Sequence, residues 1–137
     1  MNSISPRLLS KLRELDIDLI FTKMQRRGFY WPKERAIVIN ETILGANDVN
    51  FEIAHELAHA LEKHDTYGVL YKKSFVWNSK IESEANLLAV KMLIDVYLEE
   101  NDMEFEQLNS TKFMEYYGIR SCLFEEVDKT LRSSFSH

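Results

Sequence analysis

The most constraining feature of this chain is a helical segment in its middle that carries an H-E-x-x-H sequence at residues 55–59. From Asn47 to about His64, apolar residues recur at the three- and four-residue spacing of an α-helix. Residues four apart on a helix lie one turn apart on the same face, so both imidazoles can reach one metal ion. The segment predicts a helix that offers two metal ligands from one face.

The two histidines lie away from the apolar stripe of their own helix. At about 100° per residue, the stripe formed by Ile53, Leu57, Ala60 and Leu61 points to the other side. A polar face of this kind, shared with Glu52, is also typical of a solvent-exposed helix surface. The motif helix alone therefore leaves a metal site and a solvated face as alternatives.

A second strong helix, predicted from about Lys80 to Leu98, favours the metal site. On the same angular construction Glu82 falls in an apolar stripe with Ala85 and Ala89, whereas Glu84 falls on the opposite side. A carboxylate inside an apolar stripe is costly unless it is protonated, paired or bound to a metal. We therefore expect Glu82 to be the third ligand and Glu84 to face solvent.

His55, His59 and Glu82 form a His₂Glu ligand set of the gluzincin type. Such a set leaves the fourth position to water, whereas structural zinc sites usually have four protein ligands. The expected cofactor is one Zn²⁺ ion, with Mn²⁺ as an alternative because such sites accept other divalent ions. Glu56 would lie beside the metal as the general base that takes a proton from water, so hydrolysis of a peptide bond is the predicted reaction.

Other polar residues near the motif are weaker candidates. Asn86 could hydrogen-bond a liganding imidazole, although a structural amide is an equal alternative. Tyr67 or Tyr71, between the two helices, could supply a hydroxyl that stabilises an oxyanion, although packing is the commoner role of such residues. His64 would point about 180° from the first histidine if the helix continued, so we expect capping or surface packing for it instead of ligation.

The remaining pattern predicts an α+β fold. We expect a small antiparallel three-stranded sheet, arranged as a meander and packed on a helical, zincin-like core made of the H-E-x-x-H helix and the second ligand-bearing helix. The predicted strands contain Ile17–Phe21, Phe29–Trp31 and Ala36–Ile39, and further helices are predicted at about 5–15, 110–117 and 121–133, the last two divided by Gly118.

Two details of this fold bear on substrate binding. The run Arg35–Asn40 lies just before the motif helix and is expected to form a sheet edge, to which an extended peptide could add as a further strand. On this hypothesis a proline at Val38 would weaken peptide capture. Residues 65–79 are expected to form a loop that contains at most one strand, with Phe75-Val76-Trp77 as a β-type patch.

Length, charge and cysteine content narrow the class of protein. The 137 residues are expected to form a single domain, and a net charge of −5 argues against direct nucleic-acid binding. The single cysteine, Cys122, cannot form an internal disulfide, fits a reducing compartment and is expected to be a buried small hydrophobe. No uncharged apolar run approaches the ~18 residues that span a bilayer, and residues 1–6 lack the charged segment followed by an apolar one that is typical of a signal peptide. We expect a soluble, cytoplasmic protein without membrane contact.

The two motifs together resemble those of the ImmA/IrrE family of metallopeptidases. In that family the second motif reads approximately E-x-x-A-N-x-F-A, which Glu82, Ala85 and Asn86 match, while Leu88 replaces the phenylalanine. The resemblance extends over about residues 15–98 and fades beyond them. Larger members carry an added DNA-binding or sensor domain, for which we expect no room within these 137 residues.

The resemblance implies a partner as well as a reaction. Family members, often encoded by phages and mobile elements, cleave or relieve a helix-turn-helix repressor, so the implied protein substrate is such a repressor. One alternative is a non-cleaving antirepressor that retains the metal-site fold and only binds its repressor. Another is an interaction domain whose metal is absent or structural. The oligomeric state, the scissile bond and any activating trigger stay open.

Overall fold

The computed structural model describes residues 3–63 and 75–135, with side chains given for residues 3–63 and 79–132. Five helices and three strands lie within these ranges, which confirms the α+β class. The helices are α1 (Pro6–Glu14), α2 (Val49–Leu61), α3 (Phe75–Glu100), α4 (Ser110–Tyr117) and α5 (Phe124–Phe135). The strands are β1 (Asp18–Thr22), β2 (Gly28–Trp31) and β3 (Ala36–Asn40).

The three strands form a mixed sheet in the order β1-β3-β2. Strand β2 pairs with β3 in the antiparallel sense, but β1 runs parallel to β3, so the expected all-antiparallel meander is wrong for that pair. The physical reason is that β3 inserts between the two strands that precede it. Every residue of β3 is buried, as a central strand requires.

The central position of β3 also overturns the predicted sheet edge at Arg35–Asn40. Val38 pairs with Ile20 on one side and with Phe29 on the other. A peptide therefore cannot add as a strand at Val38, because partners from the chain itself already flank it on both sides. The outer strands of this sheet are β1 and β2.

Local signals at several helix ends agree with the sequence. Ser5 precedes α1, and its hydroxyl accepts a hydrogen bond from the Leu8 backbone N–H, while Pro6 occupies the first helical turn. Gly118 ends α4 in the left-handed conformation at φ 61°, which glycine adopts without the steric cost of a Cβ. The motif helix ends at Leu61, slightly before the predicted end.

Helix α3 begins earlier than the sequence predicted. It starts at Phe75, so Phe75-Val76-Trp77 belongs to a helix and not to a strand. Aromatic and β-branched residues favour strands only weakly, and a long helix that extends through them overrides that preference.

Helices α2 and α3 pack closely on each other and supply about half of the buried core residues. Ile53 and Leu57 of α2 and Ala85 and Ala89 of α3 are completely buried. Burial of a leucine or isoleucine side chain stabilises a fold by about 1.5–3 kcal/mol. The small alanine side chains allow the two helices to approach, and this approach brings Glu82 towards the histidines of α2.

Cys122 lies in the turn between α4 and α5 and is exposed, so its expected burial is wrong. A single helical turn, Ser121–Leu123, joins the two helices at the surface there. Among the helices that the structure describes, none has the length and apolar character needed to cross a membrane.

Candidate metal centre

Helices α2 and α3 bring His55, His59 and Glu82 together. The Nε2 atoms of the two histidines are 3.2 Å apart. One carboxylate oxygen of Glu82 lies 2.7 Å from Nε2 of His55 and 2.9 Å from Nε2 of His59. One ligand atom from each of the three residues thus converges on a single point, as the sequence predicted for these residues.

These separations suit a bound divalent ion. Bonds of about 2.0–2.2 Å to tetrahedral zinc place neighbouring ligand atoms about 3.3–3.6 Å apart. The observed separations of 2.7–3.2 Å are slightly shorter, so an ion between the atoms would require outward shifts of about half an ångström at most. The donor set, two imidazoles and a carboxylate, is also one that zinc accepts. The residues present therefore fit a metal.

The histidines do not lie on a solvated face. His59 is completely buried, and the side chain of His55 is 13% exposed. The motif helix has its apolar stripe on another side, but α3 packs over the face that carries the histidines and excludes water from it. The solvated-face alternative that α2 alone left open is therefore not what the structure contains.

Glu56 is buried beside this cluster, with 4% of its surface exposed. Burial raises the pKa of its carboxyl to about 8, although the positive charge of His55 acts in the opposite direction. Its Oε1 atom has no hydrogen-bond partner among the described residues. A buried acceptor of this kind retains the capacity to bind a proton or a water molecule.

The electrostatic field around His55 favours a cation. Burial alone would lower its pKa, but the hydrogen bond to Glu82 and the negative charges of Glu56, Glu82 and Glu52 outweigh burial and raise the pKa to about 9. The same negative groups that hold a proton on the imidazole would stabilise a divalent ion in its place.

The cluster opens into a cleft of about 460 Å³. Its floor is formed by α2 and α3, with Phe51, Glu52, His55, Glu56, Glu82 and Asn86 lining it. One wall is the segment Arg26–Gly28 at the start of β2, and the other is the turn that follows α4, with Arg120, Cys122 and Leu123. Glu56 and two of the three candidate ligands are therefore accessible from one opening.

The family profile described as the IrrE N-terminal-like domain, a peptidase family, matches residues 12–122. The chain belongs to this family. The resemblance read from the two motifs is thereby confirmed, and it extends beyond the predicted residues 15–98 to include the second wall of the cleft. A search of curated proteins found no significant match to this IrrE N-terminal-like chain, and a search of solved structures found none either.

The remaining predicted residues have different outcomes in this IrrE N-terminal-like domain. Asn86 lines the cleft, but it makes no hydrogen bond to His55, whose buried Nδ1 has no partner in the described ranges. Glu84 lies outside the three-residue cluster and is partly buried. Tyr67, Tyr71 and His64 lie outside the described residues.

The other charged residues of the cleft were not predicted from the sequence. Glu52 was considered only as part of the solvated-face alternative, yet just 15% of its side chain is exposed and burial raises its pKa. Its position one turn before Glu56 was a usable signal, because residues four apart share a helix face. Arg26, Arg27 and Arg120 come from segments whose approach to α2 depends on the tertiary fold, so no local pattern could have identified them.

Proposed function

We propose that this chain is a zinc-dependent endopeptidase with His55, His59 and Glu82 as metal ligands and Glu56 as general base. The observation that carries the proposal is the convergence of the three ligand atoms beside a buried carboxylate in one open cleft. Membership of a peptidase family supports the same reaction class. Three protein ligands leave a coordination position for water or substrate, which is the arrangement of catalytic zinc sites.

The reaction divides its tasks between the metal and Glu56. A Zn²⁺ ion held by the three ligands would acidify a water molecule and polarise the amide carbonyl of a substrate. Glu56 would accept the proton of that water and later donate it to the leaving amine. Burial raises the pKa of this carboxyl from that of an exposed glutamate into the range near neutral pH, where a group can both accept a proton and return it.

The cleft favours an extended peptide as substrate. Its volume of about 460 Å³ holds only a few side chains at a time, and its floor lies between two packed helices. A folded helix, about 10–12 Å wide with side chains, is bulky for such a cleft. We infer that the substrate presents a flexible segment, and that cleavage occurs in a linker.

The proposed substrate is a cytoplasmic helix-turn-helix repressor of a phage or mobile element. This part of the proposal rests on the resemblance to the ImmA/IrrE family. Cleavage of a linker between a repressor's DNA-binding and oligomerisation regions would separate the two and release DNA, since two linked half-site contacts bind more tightly than one.

The experiment is to incubate the zinc-loaded protein with the helix-turn-helix repressor encoded nearest to its gene and to map the products by mass spectrometry. A single cut in a linker, abolished by chelation and restored by zinc, is expected. Glu56→Gln distinguishes the alternative of a non-cleaving antirepressor. If that variant relieves repression as well as wild type does and no cut is found with either protein, binding alone is the function.

A further inference from the structure

The second wall of the cleft carries a positive charge that the proposed reaction does not use. Arg120 lies in the turn after α4, is exposed and lines the same cleft as His55, Glu56 and Glu82. It also lines a smaller neighbouring cavity of about 200 Å³ with Asp48 and Glu52. Arg120 therefore lies at the surface, on the wall of the cleft that a substrate would enter to reach the candidate metal centre.

The other arginines of the cleft are already engaged. Arg27 forms an ion pair with Asp48 at 2.5 Å and lies 3.8 Å from a carboxylate oxygen of Glu52. Arg26 lies over the ring of Phe29, with its guanidinium carbon 5.3 Å from the ring centroid. These contacts hold the two guanidinium groups against the protein.

Arg120 differs from both of them. In residues 3–63 and 75–135 it has no ion pair and no side-chain hydrogen bond. The carboxylates that share its smaller cavity, Asp48 and Glu52, face Arg27. Because arginine presents its donors in a planar fork that matches a carboxylate, an exposed arginine at a cleft rim can bind an acidic side chain through two parallel hydrogen bonds.

The charge of the cleft points in the same direction. Although the chain has a net charge of −5, the cleft is lined by three arginines and three glutamates. A divalent ion bound at the candidate centre would make the cleft positive as a whole. A positive cleft in a negative protein attracts anionic segments of a substrate and repels basic ones.

We propose that Arg120 determines specificity by binding an aspartate or glutamate side chain of the substrate close to the scissile bond. This inference rests on the proposed function, because it assigns a preference to the same cleft. Arg120 would act on the substrate's side chain and take no part in the chemical step.

The test uses two sets of synthetic decapeptides that are identical except that one carries Glu wherever the other carries Gln. The zinc-loaded wild-type protein is assayed with both sets, and the best-cleaved Glu peptide is paired with its Gln counterpart. The readout is the ratio of kcat/KM for the two peptides. We expect a preference for Glu of about fivefold, which corresponds to an exposed ion pair of about 1 kcal/mol.

Variants then assign the preference to one side chain. Arg120→Gln should reduce the ratio to about one, and Arg120→Glu should invert it and favour a matching Lys peptide. Arg13→Gln is the matched control, because Arg13 is exposed on α1 and does not line the cleft. The control should leave the ratio unchanged. A ratio that stays at about five in both Arg120 variants would overturn the proposal.

A binding measurement separates this inference from the proposed function. Fluorescein-labelled Glu and Gln peptides are titrated with zinc-loaded Glu56→Gln protein, with and without Arg120→Gln. Suppose that wild type cleaves no peptide, yet the Glu peptide binds more tightly than the Gln peptide and this difference depends on Arg120. The proposed peptidase activity is then wrong, and the proposed binding of acidic side chains by Arg120 is supported. If both peptides bind equally and no cleavage ratio depends on Arg120, the proposed role of Arg120 is wrong.

Discussion

The cleft at the candidate metal centre and a second cavity beside α4 differ in size and in chemistry. The second cavity is larger, about 640 Å³ against about 460 Å³, and its lining is mainly apolar, with Met114, Ile119 and Phe124. The cleft is lined by His55 and three glutamates, and the buried His59 lies next to His55. The larger cavity therefore has fewer titratable groups, so the volume of a cavity does not indicate whether it can support catalysis.

A matched pair of glutamates gives the largest expected difference between the two cavities. Glu56 lines the cleft and Glu115 lines the apolar cavity. Glu56→Gln should lower kcat for peptide cleavage by about 10²–10⁴-fold, the usual contribution of a general base, whereas Glu115→Gln should leave kcat unchanged.

Metal analysis of both purified variants completes this measurement, since each should contain as much zinc as wild type. Activity of Glu56→Gln within about threefold of wild type would remove Glu56 from the chemistry. The metal assignment would be unaffected by that result.

The effect of zinc on thermal stability should also differ between variants in the two cavities. A metal that binds only the folded state stabilises it by about 2.7 kcal/mol when its free concentration is 100 times Kd. His59→Ala should abolish this zinc-dependent rise in Tm. Met114→Ala, in the apolar cavity, should lower the free energy of unfolding by about 2–5 kcal/mol through lost packing, and should therefore lower Tm. The zinc-dependent rise in Tm should be kept in this variant.

Thermal unfolding of each variant with zinc and with chelator measures the two effects separately. Zinc would not bind where we propose if His59→Ala retained the full zinc-dependent rise in Tm, or if Met114→Ala lost that rise while still folded.

A comparison of two glutamates on α3 tests whether Glu82 is the third metal ligand. Glu82→Gln should weaken zinc binding by at least about tenfold, because a carboxylate oxygen next to both imidazoles is replaced by a neutral amide. Glu84→Gln, on the same helix but outside the cluster, should leave zinc affinity unchanged. Competition with a chromophoric chelator measures both affinities. A larger loss in Glu84→Gln would show that the helical phase of α3 was misread.

The smallest effect is expected at Gly118, which lines the apolar cavity. A Cβ at this position would lie 2.8 Å from the Asn47 side chain, and the residue has φ 61°. Gly118→Ala should therefore lower the free energy of unfolding by about 1–2 kcal/mol without changing zinc content.

Chemical denaturation can separate the two causes at Gly118. Adding Asn47→Ala removes the steric contact, so the cost of Gly118→Ala measured in that background should retain only the backbone part. An unchanged cost in that background would mean that the contact with Asn47 contributes nothing.

Hydrophobic spacing was sufficient to predict the helices, apart from the start of α3, and most strand positions, because burial of one face imposes a period that a sequence displays directly. The candidate ligands followed from the phase of two helices, one through the H-E-x-x-H spacing and the other through Glu82 among alanines. Strand order did not follow, since pairing depends on which strand the fold places in the centre. A signal did exist in Ala36–Ile39, because an unbroken apolar run is typical of a strand covered on both faces.

For a similar reason, local sequence patterns could not predict that Cys122 is exposed or that arginines line the cleft. Residues 120–123 form a surface turn whose side chains have no periodic environment. Their place beside α2 is fixed by the packing of α4 and α5, which the spacing of residues within either helix does not encode.

Ala85 and Ala89 are completely buried, and their small size allows α3, which carries Glu82, to lie close to α2, which carries the two histidines. The packing of the core therefore also determines how far apart the three candidate ligands lie, and with it the radius of an ion that they could hold. A larger side chain at either alanine would move Glu82 away from the histidines without altering any ligand. Metal preference in this fold could then be tuned from the hydrophobic core, by shifting the site towards larger ions with longer bonds and more ligands.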